Sequence, residues 1–228
     1  GRGGPLADKA PAGGSRDSLK LLGKARVADG VAVIPSGAVG ALEAADSGDL
    51  SPAAELTVYA RVRVDRNPPT FVSLVGKRQF KDPERRSYGL FIAPDQGRKD
   101  AFAIGGQLST DGTSRGSLTA IEGDESLPVG QWVEVAMTLR RGPVALRAAW
   151  WARTSQGPWR RVNGPVSRTG ISRLFHAPIP LLLGNNVNLR AHAVTVELDE
   201  VRLYDRALAV EELAAVAPQA PVQGEPSR

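Results

Sequence analysis

The chain has 228 residues, 42% hydrophobic and 23% charged, which suits a folded globular domain and is too apolar for a disordered chain. It contains no cysteine and two histidines, His176 and His192, so disulfide scaffolds, cysteine-ligated zinc, thiol nucleophiles and multi-histidine metal sites within one chain are excluded. The net charge of +5 is spread over short pairs such as Arg85-Arg86, Arg140-Arg141 and Arg160-Arg161, with no Lys/Arg block of the nucleic-acid type, and no apolar run is long enough to insert in a membrane.

Residues 1–17 are rich in Gly, Pro and Ala and lack hydrophobic periodicity, so a flexible arm is expected. Short strands are expected at 31–34 and 40–44. From Glu55 to Val64 the pattern alternates strictly. Leu56, Val58, Ala60, Val62 and Val64 fall on one face, and Thr57, Tyr59, Arg61 and Arg63 on the other. Further strands are expected at 70–76, 87–93, 101–107 and 115–121. Trp132 to Leu139 alternates again, with Val133, Val135, Met137 and Leu139 in phase, and so does Val144 to Ala152. Strands at 158–162 and 180–184 follow. Asp-Gly at 111–112, Arg-Gly-Pro at 141–143, Asn-Gly-Pro at 163–165 and Gly-Asn-Asn at 184–186 supply turns. Val194, Val196 and Leu198 share one phase and Val201 and Leu203 the other, so a β-bulge is expected at Asp199-Glu200. One helix is expected after Leu208, with Ala209 as N-cap, Glu212 at N3, and Leu208 and Leu213 forming a hydrophobic staple. Residues 217–228 read as a disordered Pro-rich tail. The sum is an all-β, antiparallel two-sheet jelly-roll sandwich over 18–216 with one short C-terminal helix.

Three segments, in order, resemble the laminin-G-like branch of the concanavalin A-like lectin/glucanase superfamily. They are Glu55 to Val64 followed by Leu74-Val-Gly-Lys77, then Gly130 to Leu139, and Leu198 to Leu208 followed by Glu211-Glu212. The last is the most specific. Two positions depart from the pattern: Glu134 stands where the family has a second histidine, and Ala209 where it has a capping serine. The resemblance implies carbohydrate binding, a structural calcium and a core role for Trp132. It also implies a module next to other domains of a larger exported bacterial protein, secreted, periplasmic or on the cell surface. The chain's first residue is Gly, in keeping with a piece of a longer product.

The expected ligand is an oligo- or polysaccharide. Trp150 and Trp151 are adjacent in a strand and face opposite sides. Trp151, with Arg147 and Arg153 in its phase, is a candidate sugar-stacking platform, and Trp159 in Gly157-Pro-Trp-Arg-Arg161 is a second, on an exposed hairpin. Glu197 and Asp199 are the candidate catalytic carboxylates of a glycoside hydrolase, but Val201 and Arg202 stand where the third carboxylate would be, so a retaining pair cannot be assembled on this strand. Asp199 is also a candidate calcium ligand, with hydrogen bonding as the other reading. A non-catalytic glycan-binding or adhesion module is therefore the favoured expectation; a glycosidase and a ligand-free spacer are the alternatives.

Overall fold

The computed structural model describes residues 19–52, 54–81, 83–120, 125–154, 157–169 and 173–216. The arm expected at 1–17 and the tail expected at 217–228 lie outside them. The strands are β1 (Lys20–Gly23), β2 (Arg26–Ala28), β3 (Val31–Ile34), β4 (Gly40–Ala44), β5 (Leu56–Val64), β6 (Val72–Gln79), β7 (Arg85–Pro94), β8 (Ala101–Ser109), β9 (Ser117–Ala120), β10 (Leu127–Pro128), β11 (Val133–Arg141), β12 (Ala145–Thr154), β13 (Arg160–Thr169), β14 (Leu181–Leu183) and β15 (Val196–Tyr204), followed by the helix α1 (Val210–Val216).

They form two antiparallel sheets. The first runs β1-β4-β14-β6-β7-β8-β10, with β9 also paired to β8; the second runs β13-β12-β11-β5-β15-β3-β2. Strands far apart in sequence are neighbours, as a jelly roll requires. The alternating apolar phases of β5, β11 and β12 all point to the same interior. Leu56, Val58, Val62, Val135, Met137, Leu146 and Trp150 pack there against Leu74, Leu90, Ile92, Phe102 and Ile104 of the first sheet. Burial of this apolar surface is the dominant favourable term for the sandwich. A polar cluster sits inside the first sheet. The Lys77 ammonium is fully buried and pairs with Asp46 and, at 2.6 Å, with Ser51 Oγ, so the charge has partners where water is excluded.

Two local features follow from the sequence pattern. In β15 the register with β5 slips between Leu198 and Glu200, which places Asp199 as the extra residue of a bulge and turns Val201 and Leu203 inward. The Glu212 carboxylate accepts the Ala209 N–H at 2.8 Å, completing the capping interaction before α1, and Leu208 and Leu213 are both buried. One expected turn is absent. β13 continues through Asn163-Gly164-Pro165 instead of ending there, with register shifts against β12 at Trp150. Gly164 takes a φ of 77°, open to glycine, and β13 is an edge strand, where Pro165 removes no ladder donor that a neighbour needs.

Candidate functional site

The outer faces of the two sheets differ in what covers them. On the second sheet, α1 lies over the half formed by β5, β11 and β12. Tyr59, Ala136, Trp159, Leu208 and Leu213 make a second apolar cluster, and Trp151 packs against it. Thr57 ties the approach to the helix down: its hydroxyl donates to the Arg206 carbonyl at 2.8 Å and accepts the Leu208 N–H at 2.9 Å. The expected stacking platform is thus brought together, but inside this cluster. Trp159 is 9% exposed, not on an open hairpin, because Tyr59 and the Arg153 guanidinium lie against it, with a ring-centroid distance of 6.2 Å and a cation–π distance of 5.4 Å. Trp151 is half-buried and its Nε1 donates to Thr138 Oγ1 at 3.1 Å. Arg153 forms a two-pronged pair with Glu134, at 3.0 and 3.1 Å, and Glu134 also accepts the Tyr59 hydroxyl at 3.1 Å. Burial, reinforced by Glu134, pushes the Tyr59 phenol well above its ordinary range, so it stays a neutral donor. Glu134 therefore anchors a buried network. Arg147 alone of the four candidates is exposed.

The other half of this face is open and polar. Trp132 is half-buried here and not in the core, because Val133 takes the inward phase. The guanidinium carbons of Arg61 and Arg63 lie 4.8 and 5.0 Å from the centroid of its ring. Arg61 pairs with Asp199 and Arg63 with Glu197. A depression of about 330 Å³ beside them is lined by Arg63, Asp65, Gly130, Thr195 and Glu197. Both candidate catalytic carboxylates are thus neutralised by arginine. The surroundings of Asp199 do not fit calcium either: a guanidinium occupies its carboxylate, and no group of three His, Cys, Asp or Glu suited to a metal occurs among the described residues.

The outer face of the first sheet was not singled out by its sequence. Two glycines there make room for large side chains lying flat on the sheet. A Cβ on Gly89 would stand 2.1 Å from Arg78 Cδ, and one on Gly105 would stand 2.6 Å from Phe91 Cε2. Arg78 rests over Phe80 and Phe91, at 4.6 and 5.1 Å, and Arg86 over Phe80 at 4.8 Å. Phe71 meets Phe91 edge-on at 5.4 Å and is 52% exposed; Phe80 is 36% exposed. Arg86 pairs with Glu84 at 2.8 Å and reaches Gln107 at 3.5 Å, and Gln107 donates to Thr119 at 3.3 Å. The result is a strip in which the exposed rings of Phe71 and Phe80 flank the buried Phe91 and the largely buried guanidinium groups of Arg78 and Arg86. The sequence held one signal for it, Gly76 and Gly89 inside strands, since strand glycines often mark a close approach of other groups.

No protein-family model matches the chain, and no curated protein matches it. Solved structures do. The binding domain of botulinum neurotoxin DC, solved in complex with SialylT, superposes with a TM-score of 0.58 at 6% identity, over 90% of this chain and 46% of that one. The receptor binding domain of a botulinum neurotoxin C/D mosaic serotype gives 0.53 at 9% identity, over 89% and 48%. The exoplasmic/lumenal domain of VIP36 in its Ca2+/Man3GlcNAc-bound form gives 0.48 at 9% identity, over 90% and 89%. The fold is a concanavalin A-like jelly roll. This chain spans about half the length of each neurotoxin domain it matches, and identities this low speak to the fold alone.

Proposed function

We propose that this domain is a non-catalytic glycan-binding module of laminin-G-like type, and that its ligand lies along the outer face of the first sheet. The observation that carries this reading is the strip formed by Phe71, Phe80, Arg78 and Arg86. Sugar rings present flat C–H faces that stack on aromatic rings, and rims of hydroxyls that accept from guanidinium groups. This strip offers both in contact with each other, with the Phe71 and Phe80 rings open to solvent and the guanidinium groups largely buried against them. A small number of fixed polar donors beside apolar surface is the usual make-up of a small-ligand site. The second sheet offers less, because its tryptophans are covered by α1 or by paired arginines.

A place as an accessory domain in a larger exported protein, next to a glycan-processing enzyme, belongs to the same proposal and rests on the laminin-G-like segments. The test is a glycan array probed with the wild-type chain and with Phe80→Ala. The reading expects a defined set of glycans that the variant loses while its melting temperature stays close to wild type. Silence of the wild-type protein across the array would overturn it.

A further inference from the structure

Arg78 is the residue on this face with the most unfinished bonding among the described residues. The residue is 8% exposed, yet its side chain has no hydrogen-bond or ion-pair partner among the described residues, and its Nε is shut off from solvent. The Nε of Arg86 is shut off and unpartnered as well. A buried cation is normally paired, because leaving it without an anion costs free energy. Stacking on Phe80 and Phe91 occupies the flat faces of the guanidinium. It does not use the N–H bonds, which radiate in the plane and match an oxyanion two at a time. The local charge is also unbalanced among the described residues: Glu84 pairs with Arg86, and no carboxylate pairs with Arg78. Burial and the neighbouring Arg86 push the ionisation of Arg78 down to about 9, so it remains charged at pH 7.

We propose that Arg78 and Arg86 form an anion subsite that selects glycans bearing a carboxylate or sulfate, the acidic group seating on Arg78 while the sugar ring stacks on Phe80. This rests on the glycan-binding reading of the same face and narrows its ligand class. Gly89 is part of the device, since any side chain there would displace the Arg78 stem. The exposed Phe71 on the far side of Phe91 extends the platform to an adjoining sugar unit.

The experiment is titration calorimetry with three probes: an oligogalacturonate carrying only carboxylates, the same chain after reduction of its carboxyl groups, and a carrageenan oligosaccharide carrying only sulfates. The proteins are wild type, Arg78→Met, Arg78→Lys, and Arg26→Met as a control on the exposed edge strand β2 of the other sheet. At least one acidic probe is expected to bind tenfold or more tightly than the reduced chain. Arg78→Met removes that preference, Arg78→Lys keeps part of it, and Arg26→Met leaves it intact. Whichever acidic probe binds identifies the group as carboxylate or sulfate. Melting curves show that the variants are folded, and Arg78→Lys, which keeps the charge, provides the comparison if Arg78→Met is not. Equal affinity for acidic and reduced chains, no binding of either acidic probe, or equal losses in Arg78→Met and Arg26→Met would overturn the anion subsite. Neutral glycans binding on the array in those cases would leave the glycan module standing, whereas silence across the array removes the module itself.

Discussion

The outer faces of the two sheets carry the same kinds of residue, aromatics and arginines, but their arginines are paired differently and their rings are covered differently. On the second sheet Arg153 is locked to Glu134, Arg61 to Asp199 and Arg63 to Glu197, and Trp159 and Trp151 lie against the helix cluster. On the first sheet Phe71 and Phe80 face solvent, and Arg78 has no hydrogen-bond or ion-pair partner for its side chain among the described residues. Satisfied polar groups around buried rings hold a fold together; unsatisfied ones beside exposed rings are available to a ligand. Residue type alone does not separate these roles. Pairing and cover do.

Mutations can break this contrast. The largest expected effect is Trp159→Ala, which empties a buried ring site and should cost about 3–5 kcal/mol of stability in denaturant unfolding, with glycan affinity of the remaining folded protein unchanged. Glu134→Ala strips both Arg153 and Tyr59 of their partner, and a loss of about 3 kcal/mol is expected by the same measurement. Phe80→Ala reverses the pattern, with at least tenfold weaker glycan binding and a stability change near 1 kcal/mol. Ala209→Ser supplies the missing cap and should raise stability by about 1 kcal/mol with no effect on binding. The smallest effect is pH-linked. Burial lowers the pKa of His192, while its ring nitrogen bonds the Gly184 carbonyl at 3.0 Å. The unfolded chain then takes up the proton first as pH falls below about 6.5, so stability declines there, and His192→Gln should flatten that slope. Chelation by EDTA should leave the melting temperature unmoved, in keeping with the arginine-bound Asp199.

Much of the fold could be read from local pattern. The phases of β5, β11 and β12, the bulge at Asp199 and the Glu212 cap each depend on residues within a few positions of one another, and each takes the expected form. The site was much less legible. Trp159 looks exposed in its own hairpin, but Tyr59, Arg153 and the cluster completed by α1 from about fifty residues downstream cover it. Arg78 was hidden by register. β6 slips against β7 between Ser73 and Val75 and again between Gly76 and Arg78, so a period-two reading cannot assign Lys77 to the interior and Arg78 to the outside. The missing partner of Arg78 is likewise a tertiary fact: whether a carboxylate stands opposite a guanidinium is decided across strands.

The account's central claim is that ligand binds the first sheet and not the second. Backbone amide shift mapping by NMR, with a glycan selected from the array, tests it most directly. The predicted result is a contiguous set of shifts on β6, β7 and β8 around Arg78, Phe80, Arg86, Phe91 and Gln107, with the amides near Trp132 and Trp151 unmoved. Shifts centred on Trp132 and Arg63, or on Trp151 and Arg147, with the first sheet silent, would contradict it.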